Sequence, residues 1–364
     1  MSAPLLLHVF PSFAVGGAQV RFAALANRFG PRWRHVVVAL DGETACAARI
    51  GPQVSLRLLP APPHASAPAR LWGIARLLAE LRPALLVTGN WGSIEWAIAN
   101  RLGPRVAHLH TEDGFGPGES QRQLPRRVLA RRLVLRGSEV VLPSATLRRA
   151  AVDLWRLPPA RLHLIPNGID LARFTPDGAA AVFPGAGPLI GTVAALRPEK
   201  NLARLLRAVA LLHRQGLAPR LLLVGEGPEA PRLRALALEL GLGASVIFAG
   251  AVADPAACYR AMDIFALSSD TEQMPFSVLE AMATGLPVTS TDVGDVARML
   301  APEGRALVVP GEDAALAGAL ARLLGDAALR GRLGAANLAR ARREFDQETM
   351  FAAHAALIDR LVRA

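Results

Sequence analysis

Short apolar runs alternate along this sequence with longer stretches of helical period, and the alternation restarts after residue 184. In the first half, strands are expected at 5–10, 35–40, 85–88, 106–110, 140–143 and 162–165. In the second they are expected at 189–194, 220–224, 246–249, 264–267, 287–290 and 307–309. Strands separated by helices form parallel sheets with helices on both faces, so the chain belongs to the α/β class. Residues 175–188 are rich in Gly and Pro and lack periodicity, as a linker does. The expectation is two Rossmann-like doubly wound domains, 1–178 and 179–364, facing each other across a cleft, with the last helix packing back on the first. Ligands of such sheets lie beyond the carboxyl ends of the strands, which places the site in that cleft.

Composition narrows the classes further. No apolar run approaches the roughly 20 residues of a membrane-spanning helix, and 5–10 is short enough for a buried strand. A soluble, unexported, cytoplasmic chain is expected. Cys46 and Cys258 lie in different halves without metal-ligand spacing, so neither a disulfide framework nor a zinc site is indicated. The net charge of +11 is unevenly spread: residues 1–178 hold 22 Arg against 11 Asp and Glu, and the remainder holds 19 basic against 19 acidic. The densest basic stretch carries Arg122, Arg126, Arg127, Arg131, Arg132, Arg136, Arg148 and Arg149, with Leu124, Val128, Leu129 and Leu135 among them. A basic amphipathic helix can rest on anionic lipid headgroups, and Arg126, Arg127, Arg131 and Arg132 are assigned to an acceptor or membrane surface. A solvated helix face is the plain alternative. Nucleic acid is disfavoured, because no aromatic residues are interleaved to stack on bases.

Each loop after a strand offers particular groups. Gly16 and Gly17 leave room for close approach at a helix start whose free N–H groups suit an anion. This loop is not a GxGxxG fingerprint and no strand-end acid follows it, which counts against a nicotinamide enzyme. His110 ends a strand ahead of the polar, Gly-rich loop 111–118. Asn167-Gly-Ile-Asp170 is expected to be an Asx-type turn. Lys200 is the single lysine among 41 basic residues and sits between a strand and a helix, where a compact ammonium suits a diphosphate. Gly225-Glu226-Gly227 is compatible with a base or ribose lying against its backbone. Glu272 and Glu280, eight residues apart in a loop and the following helix, suit the hydroxyls of a sugar and a ribose. No Asp-x-Asp pair suited to holding a metal with a diphosphate is present, so neither a metal nor a cofactor is expected.

The order of these motifs from residue 16 to 288 resembles the bacterial family-four, or group 1, retaining glycosyltransferases of the GT-B fold. Glu272-x7-Glu280 followed by Ala-Met-Ala-Thr-Gly-Leu-Pro-Val is the most specific element of the resemblance. The resemblance implies that Glu272 contacts a donor sugar, Glu280 the ribose and Lys200 the diphosphate. It implies further that His110 lies beside the transferring sugar, and that the Gly16-Gly17 loop lies near the diphosphate and acceptor. Two departures stand out. Ala194-Ala195 replace the family's Gly-Arg, leaving Arg197 as the nearest guanidinium, and Glu272-Gln-Met274-Pro275 ahead of Phe276 replaces Glu-Gly-Phe-Gly. Pro275 has no N–H to give a sugar.

The resemblance implies a metal-independent hexosyltransferase that uses a UDP-, GDP- or ADP-sugar and retains configuration by a front-face mechanism. Its acceptor would be a lipid-linked or polysaccharide intermediate at the inner face of the cytoplasmic membrane. A GT-B nucleotide-sugar epimerase and a catalytically inactive nucleotide-sugar-binding protein are the rival readings.

Overall fold

The protein is described by a computed structural model covering residues 3–63, 66–115, 119 and 123–363. Gly116, Pro117, Gly118 and Arg122, named above, lie outside the described residues. The strands of the first sheet are β1 (Leu5–Phe10), β2 (Arg34–Ala39), β3 (Ser55–Pro60), β4 (Leu85–Gly89), β5 (His108–Thr111), β6 (Glu139–Leu142) and β7 (Leu162–Leu164). All pair in parallel, in the order β3-β2-β1-β4-β5-β6-β7. The second sheet contains β8 (Leu189–Val193), β9 (Arg220–Val224), β10 (Val246–Gly250), β11 (Ile264–Leu267), β12 (Val288–Thr291) and β13 (Val308–Val309). It is also parallel throughout, in the order β10-β9-β8-β11-β12-β13.

Central strands such as β1 and β11 are apolar and buried along their length because helices cover both faces of a parallel sheet. The helix Leu202–Arg214 shows how the covering elements arise. Its Leu and Ala residues recur at helical spacing, eight of its side chains are buried against β8 and β9, and the Asn201 side chain caps its first turn by accepting from Arg204 N–H. Strand order reverses between β1 and β4 in one sheet and between β8 and β11 in the other. Ligands of open parallel sheets bind outside the carboxyl ends at such reversals.

The chain divides into two compact units, one running to Pro166 and resuming at Met350, the other Asn167–Thr349. The boundary therefore falls before the stretch expected to link the domains, and residues 167–188 are bound to the second unit. Ile169 N–H donates to the Phe345 carbonyl, Phe174 packs on Tyr259, Ala181 N–H donates to the Ala257 carbonyl, and Arg220 donates to the carbonyls of Phe183, Pro184 and Gly187. Backbone hydrogen bonds hold this segment where periodicity is silent. In the last helix, Gln347–Arg363, Met350, Phe351, Ala355, Leu357 and Ile358 join Leu6, Trp33, Leu85 and Leu109 in a core cluster of the first unit.

Candidate active site

In the second unit the loops after β8 and β11, neighbours at the reversal, meet. Lys200 Nζ donates to Glu272 Oε1 at 2.6 Å, and Ser269 Oγ donates to the same oxygen at 2.8 Å. The backbones are laced together as well: Asp270 N–H donates to the Glu199 carbonyl at 2.9 Å, and Ser268 Oγ donates to the Lys200 carbonyl at 3.1 Å. Arg204 donates to the Ser268 carbonyl and pairs with Asp270 at 2.8 Å. Lys200 and Glu272, 72 residues apart in sequence, are thus brought to contact distance by the sheet order and held there by the hydrogen bonds between the two loops.

The stretch 272–276 is supported from behind. A Cβ on Gly294 would press on the carbonyls of Glu272 and Gln273, so only glycine fits there, at φ 56°. Asn167 Nδ2 donates to the Met274 carbonyl at 2.8 Å. Met274 and Pro275 are buried, and Phe276 opens the helix Phe276–Ala283, for which Pro275 supplies a capping carbonyl instead of an N–H. On that helix Glu280 Oε2 accepts from the Tyr259 hydroxyl at 2.6 Å. Burial pushes the Glu280 carboxyl above its usual range against the opposing pull of this hydrogen bond, and burial together with Glu280 pushes the Tyr259 phenol well up.

At two of the expected donor contacts the residues are engaged elsewhere. The Gly225-Glu226-Gly227 loop is small because the chain's own loop lies on it: a Cβ on Gly225 or Gly227 would collide with the carbonyls of Ala194 or Leu196. Leu196 N–H donates to the Glu226 carbonyl at 2.8 Å, so Gly225 and Gly227 let the loops after β8 and β9 pack together. Arg197 is exposed and lines a cavity of about 300 Å³ with Asn201, Arg207, Glu229 and Arg232, whose lining includes neither Lys200 nor Glu272. The turn Pro198–Lys200 sends the two side chains to different surroundings. The Asx turn expected at Asn167-Gly is made instead by Asp170, whose Oδ1 accepts from the N–H groups of Ala172 and Arg173 at 3.0 Å, while the Asn167 amide donates to Met274.

In the first unit Gly16 precedes the helix Gly17–Phe29, whose first turn has no side-chain cap. His110, at the carboxyl end of β5, is fully buried. Its Nδ1 lies 2.8 Å from Thr88 Oγ1, and its Nε2 lies 3.5 Å from Glu112 Oε2 with no hydrogen-bond partner among the described residues. Nearby, Arg21 forks onto Asp113 at 2.6 and 2.8 Å, and Asp113 N–H donates to Asn90 Oδ1. Gln19, Arg21, Asn90, Thr111, Asp113 and His354 line a cavity of about 60 Å³ at the β1–β4 reversal. Sequence reasoning passed over Thr88 and Asn90; the Thr-Gly-Asn run closing β4 was the available signal.

The basic helix Pro125–Val134 is only in part a surface. Arg131 is 1% exposed, donates to Glu112 and Glu119, and lies over the rings of Trp91, Phe115 and Trp155. Arg127 pairs with Glu119 at 2.9 Å and lies over Trp91. Burial raises the Glu119 carboxyl, but Arg127 and Arg131 together hold it below the ordinary range. Arg131 therefore leaves the set assigned to a membrane, because three aromatic rings and two carboxylates occupy its guanidinium. Arg126 and Arg132 remain exposed, beside Leu129 and Leu133, which are 55% and 59% exposed. No helix among the described residues is long and apolar enough to cross a membrane.

Comparison with known proteins decides the family. Residues 178–340 match the model of group 1 glycosyl transferases, and residues 15–173 match that of glycosyltransferase family 4. The chain belongs to the group 1 glycosyltransferases. The chain is 30% identical over 259 residues to the D-inositol 3-phosphate glycosyltransferase of Nocardia farcinica, the match covering 65% of this chain and 57% of that one. It thus spans little more than half the length of that relative. It is 29% identical over 324 residues to a GDP-mannose-dependent alpha-(1-6)-phosphatidylinositol monomannoside mannosyltransferase of Mycobacterium tuberculosis, covering 82% and 80% of the two chains. Among solved structures, HepE from Anabaena in complex with UDP-glucose superposes with a TM-score of 0.81 at 18% identity, covering 98% and 99%. The fold is GT-B, with two Rossmann-like units.

Proposed function

We propose that this chain moves a hexosyl group from a UDP-, GDP- or ADP-sugar to an acceptor hydroxyl with the anomeric configuration retained. The Lys200–Glu272 pair at the β8–β11 reversal carries the reading: one cation and one carboxylate stand where an open sheet receives its ligand. An arriving diphosphate competes with Glu272 for the ammonium, and the carboxylate so released accepts from sugar hydroxyls. The bond from the anomeric carbon to the phosphate oxygen breaks, the acceptor oxygen bonds to that carbon on the same face, and its proton passes to the leaving phosphate. Lys200 offsets the charge growing on the diphosphate, a task that needs no metal ion. Glu280 offers ribose the oxygen that Tyr259 leaves unused, and His110 orients the transferring sugar. The relatives' names, one GDP-mannose-dependent and one structure holding UDP-glucose, agree with a nucleotide-sugar donor.

The acceptor is a lipid-linked or polysaccharide intermediate, reached at the cytoplasmic membrane face through Arg126, Leu129, Arg132 and Leu133. A relative whose name specifies a phosphatidylinositol-linked acceptor supports this.

The test is thermal stability against UDP-, GDP- and ADP-sugars with NAD as control, since a ligand of the folded state raises the midpoint by mass action. One nucleotide sugar is expected to do so, and silence across the panel would sink the reading. A shift without turnover on any acceptor would mark a nucleotide-sugar-binding protein, which Ala195 and Pro275 favour. Conversion of the sugar nucleotide without acceptor would mark an epimerase.

A further inference from the structure

His108 and His110 alternate along β5, so both rings lie on one face of the sheet. Thr88, the register partner of His110 on β4, places its hydroxyl between them, 2.8 Å from His110 Nδ1 and 2.8 Å from His108 Nε2. His108 Nδ1 lies 2.7 Å from Ser138 Oγ, just ahead of β6. Four side chains, from β4, β5 and the residue ahead of β6, form one hydrogen-bonded row, and Thr88 and His110 within it are wholly buried.

The direction of the row follows from its two ends. Glu112 Oε2, which accepts from Arg131 Nε at 3.1 Å, stands 3.5 Å from His110 Nε2. A carboxylate oxygen held by a guanidinium can only accept, so a bare lone pair on Nε2 would face negative charge, whereas an Nε2–H faces it favourably. With the proton on Nε2, Nδ1 is an acceptor and Thr88 must donate to it. The threonine has one proton, so its oxygen accepts from His108 Nε2–H, and His108 Nδ1 in turn accepts from Ser138. Burial and the neighbouring His110 push the His108 imidazole down to about 3, which keeps that ring neutral and the order intact.

We infer that Thr88, His108 and Ser138 are positioning residues that hold His110 as its Nε2–H tautomer, with that N–H directed to the side of the ring where Glu112 lies. The inference rests on the proposed role of His110 beside the transferring sugar and specifies which nitrogen of it acts, and as a donor. The opposite order of the row would present a lone pair there, unable to donate to a sugar hydroxyl.

The experiment pairs long-range 1H–15N spectra of the protein labelled at histidine nitrogens with turnover on the donor found in the panel above. The parent is expected to show His110 protonated at Nε2. Thr88→Val, which keeps the shape and removes the hydroxyl that donates to Nδ1, is expected to move the His110 Nδ1 resonance to that of an imidazole nitrogen without a hydrogen bond and to lower kcat roughly tenfold or more, with KM little changed, as loss of a group orienting a functional imidazole commonly does. Thr88→Ser is expected to restore both. A parent His110 protonated at Nδ1, or a Thr88→Val spectrum and kcat equal to the parent's, would overturn the inference. Undiminished turnover in His110→Ala with the parent spectrum as expected would instead overturn the role of His110, and so separates the two failures.

Discussion

Lys200 and Glu272 pair at 2.6 Å, and in the proposed reaction a donor parts them, its diphosphate meeting Lys200 and its sugar Glu272. Lys200→Ala and Glu272→Ala are each expected to lower turnover by about 100-fold or more, the usual cost of a group that meets developing charge. Steady-state rates near the parent's in both variants would remove the pair from the site. Lys200 was legible because it is the single lysine in an arginine-rich chain and follows a strand. Glu272 was legible from its spacing to Glu280. Arg197 and the Gly225–Gly227 loop were not, because a one-turn change of backbone direction decides where a side chain points, and a glycine gives the same signal whether a ligand or the chain's own carbonyl approaches it. His108 carried no signal of its own, as its partners are set by register across three strands.

At the scale of elements, the helix Pro125–Val134 presents two faces with opposite consequences. On its inner face Arg131 pairs with Glu112 and Glu119 inside an aromatic cage, and Glu119 also keeps Arg127, so Arg131→Gln leaves Glu112 buried without its cation and is expected to destabilise by about 3–5 kcal/mol in denaturant unfolding. On its outer face the joint change of Arg126, Leu129, Arg132 and Leu133 to Gln is expected to leave stability within about 1 kcal/mol while abolishing salt-sensitive binding to anionic vesicles. Equal binding of the parent to neutral vesicles would remove the membrane reading. Helical periodicity marked this element as basic and amphipathic, but period alone does not say which arginines face inward, because the aromatic residues that enclose Arg131 come from distant loops. All twelve expected strands are present within one or two residues at their ends. The additional strand β3 went unread because it is a largely exposed edge, Ser-Leu-Arg-Leu-Leu-Pro, without the buried run that marks an interior strand.

Across the whole molecule, the histidines whose imidazoles are depressed are unevenly shared. His8, His35, His108 and His354 are all in the first unit, and burial lowers each imidazole, His35 to about 4 and His108 and His354 to about 3. A histidine depressed below its unfolded value of 6.5 binds fewer protons folded than unfolded, so its contribution to stability is lost as pH falls from about 6.5 towards the folded value. For His35 alone that loss is on the order of 3 kcal/mol. In the second unit Glu280 is raised instead, and its folded form gains as pH falls. Limited proteolysis between pH 6.5 and 4 is therefore expected to cut the first unit before the second, and simultaneous cleavage of both would refute the assignment. The return of residues 350–358 to the core of the first unit has a further consequence, for synthesis. As the chain leaves the ribosome, the second unit, contiguous from Asn167 to Thr349, has all its residues before the first does. The half made first stays open beside Leu6, Trp33 and Leu85 until residues 350–358 have been made, so its core closes only after every residue of the second unit exists.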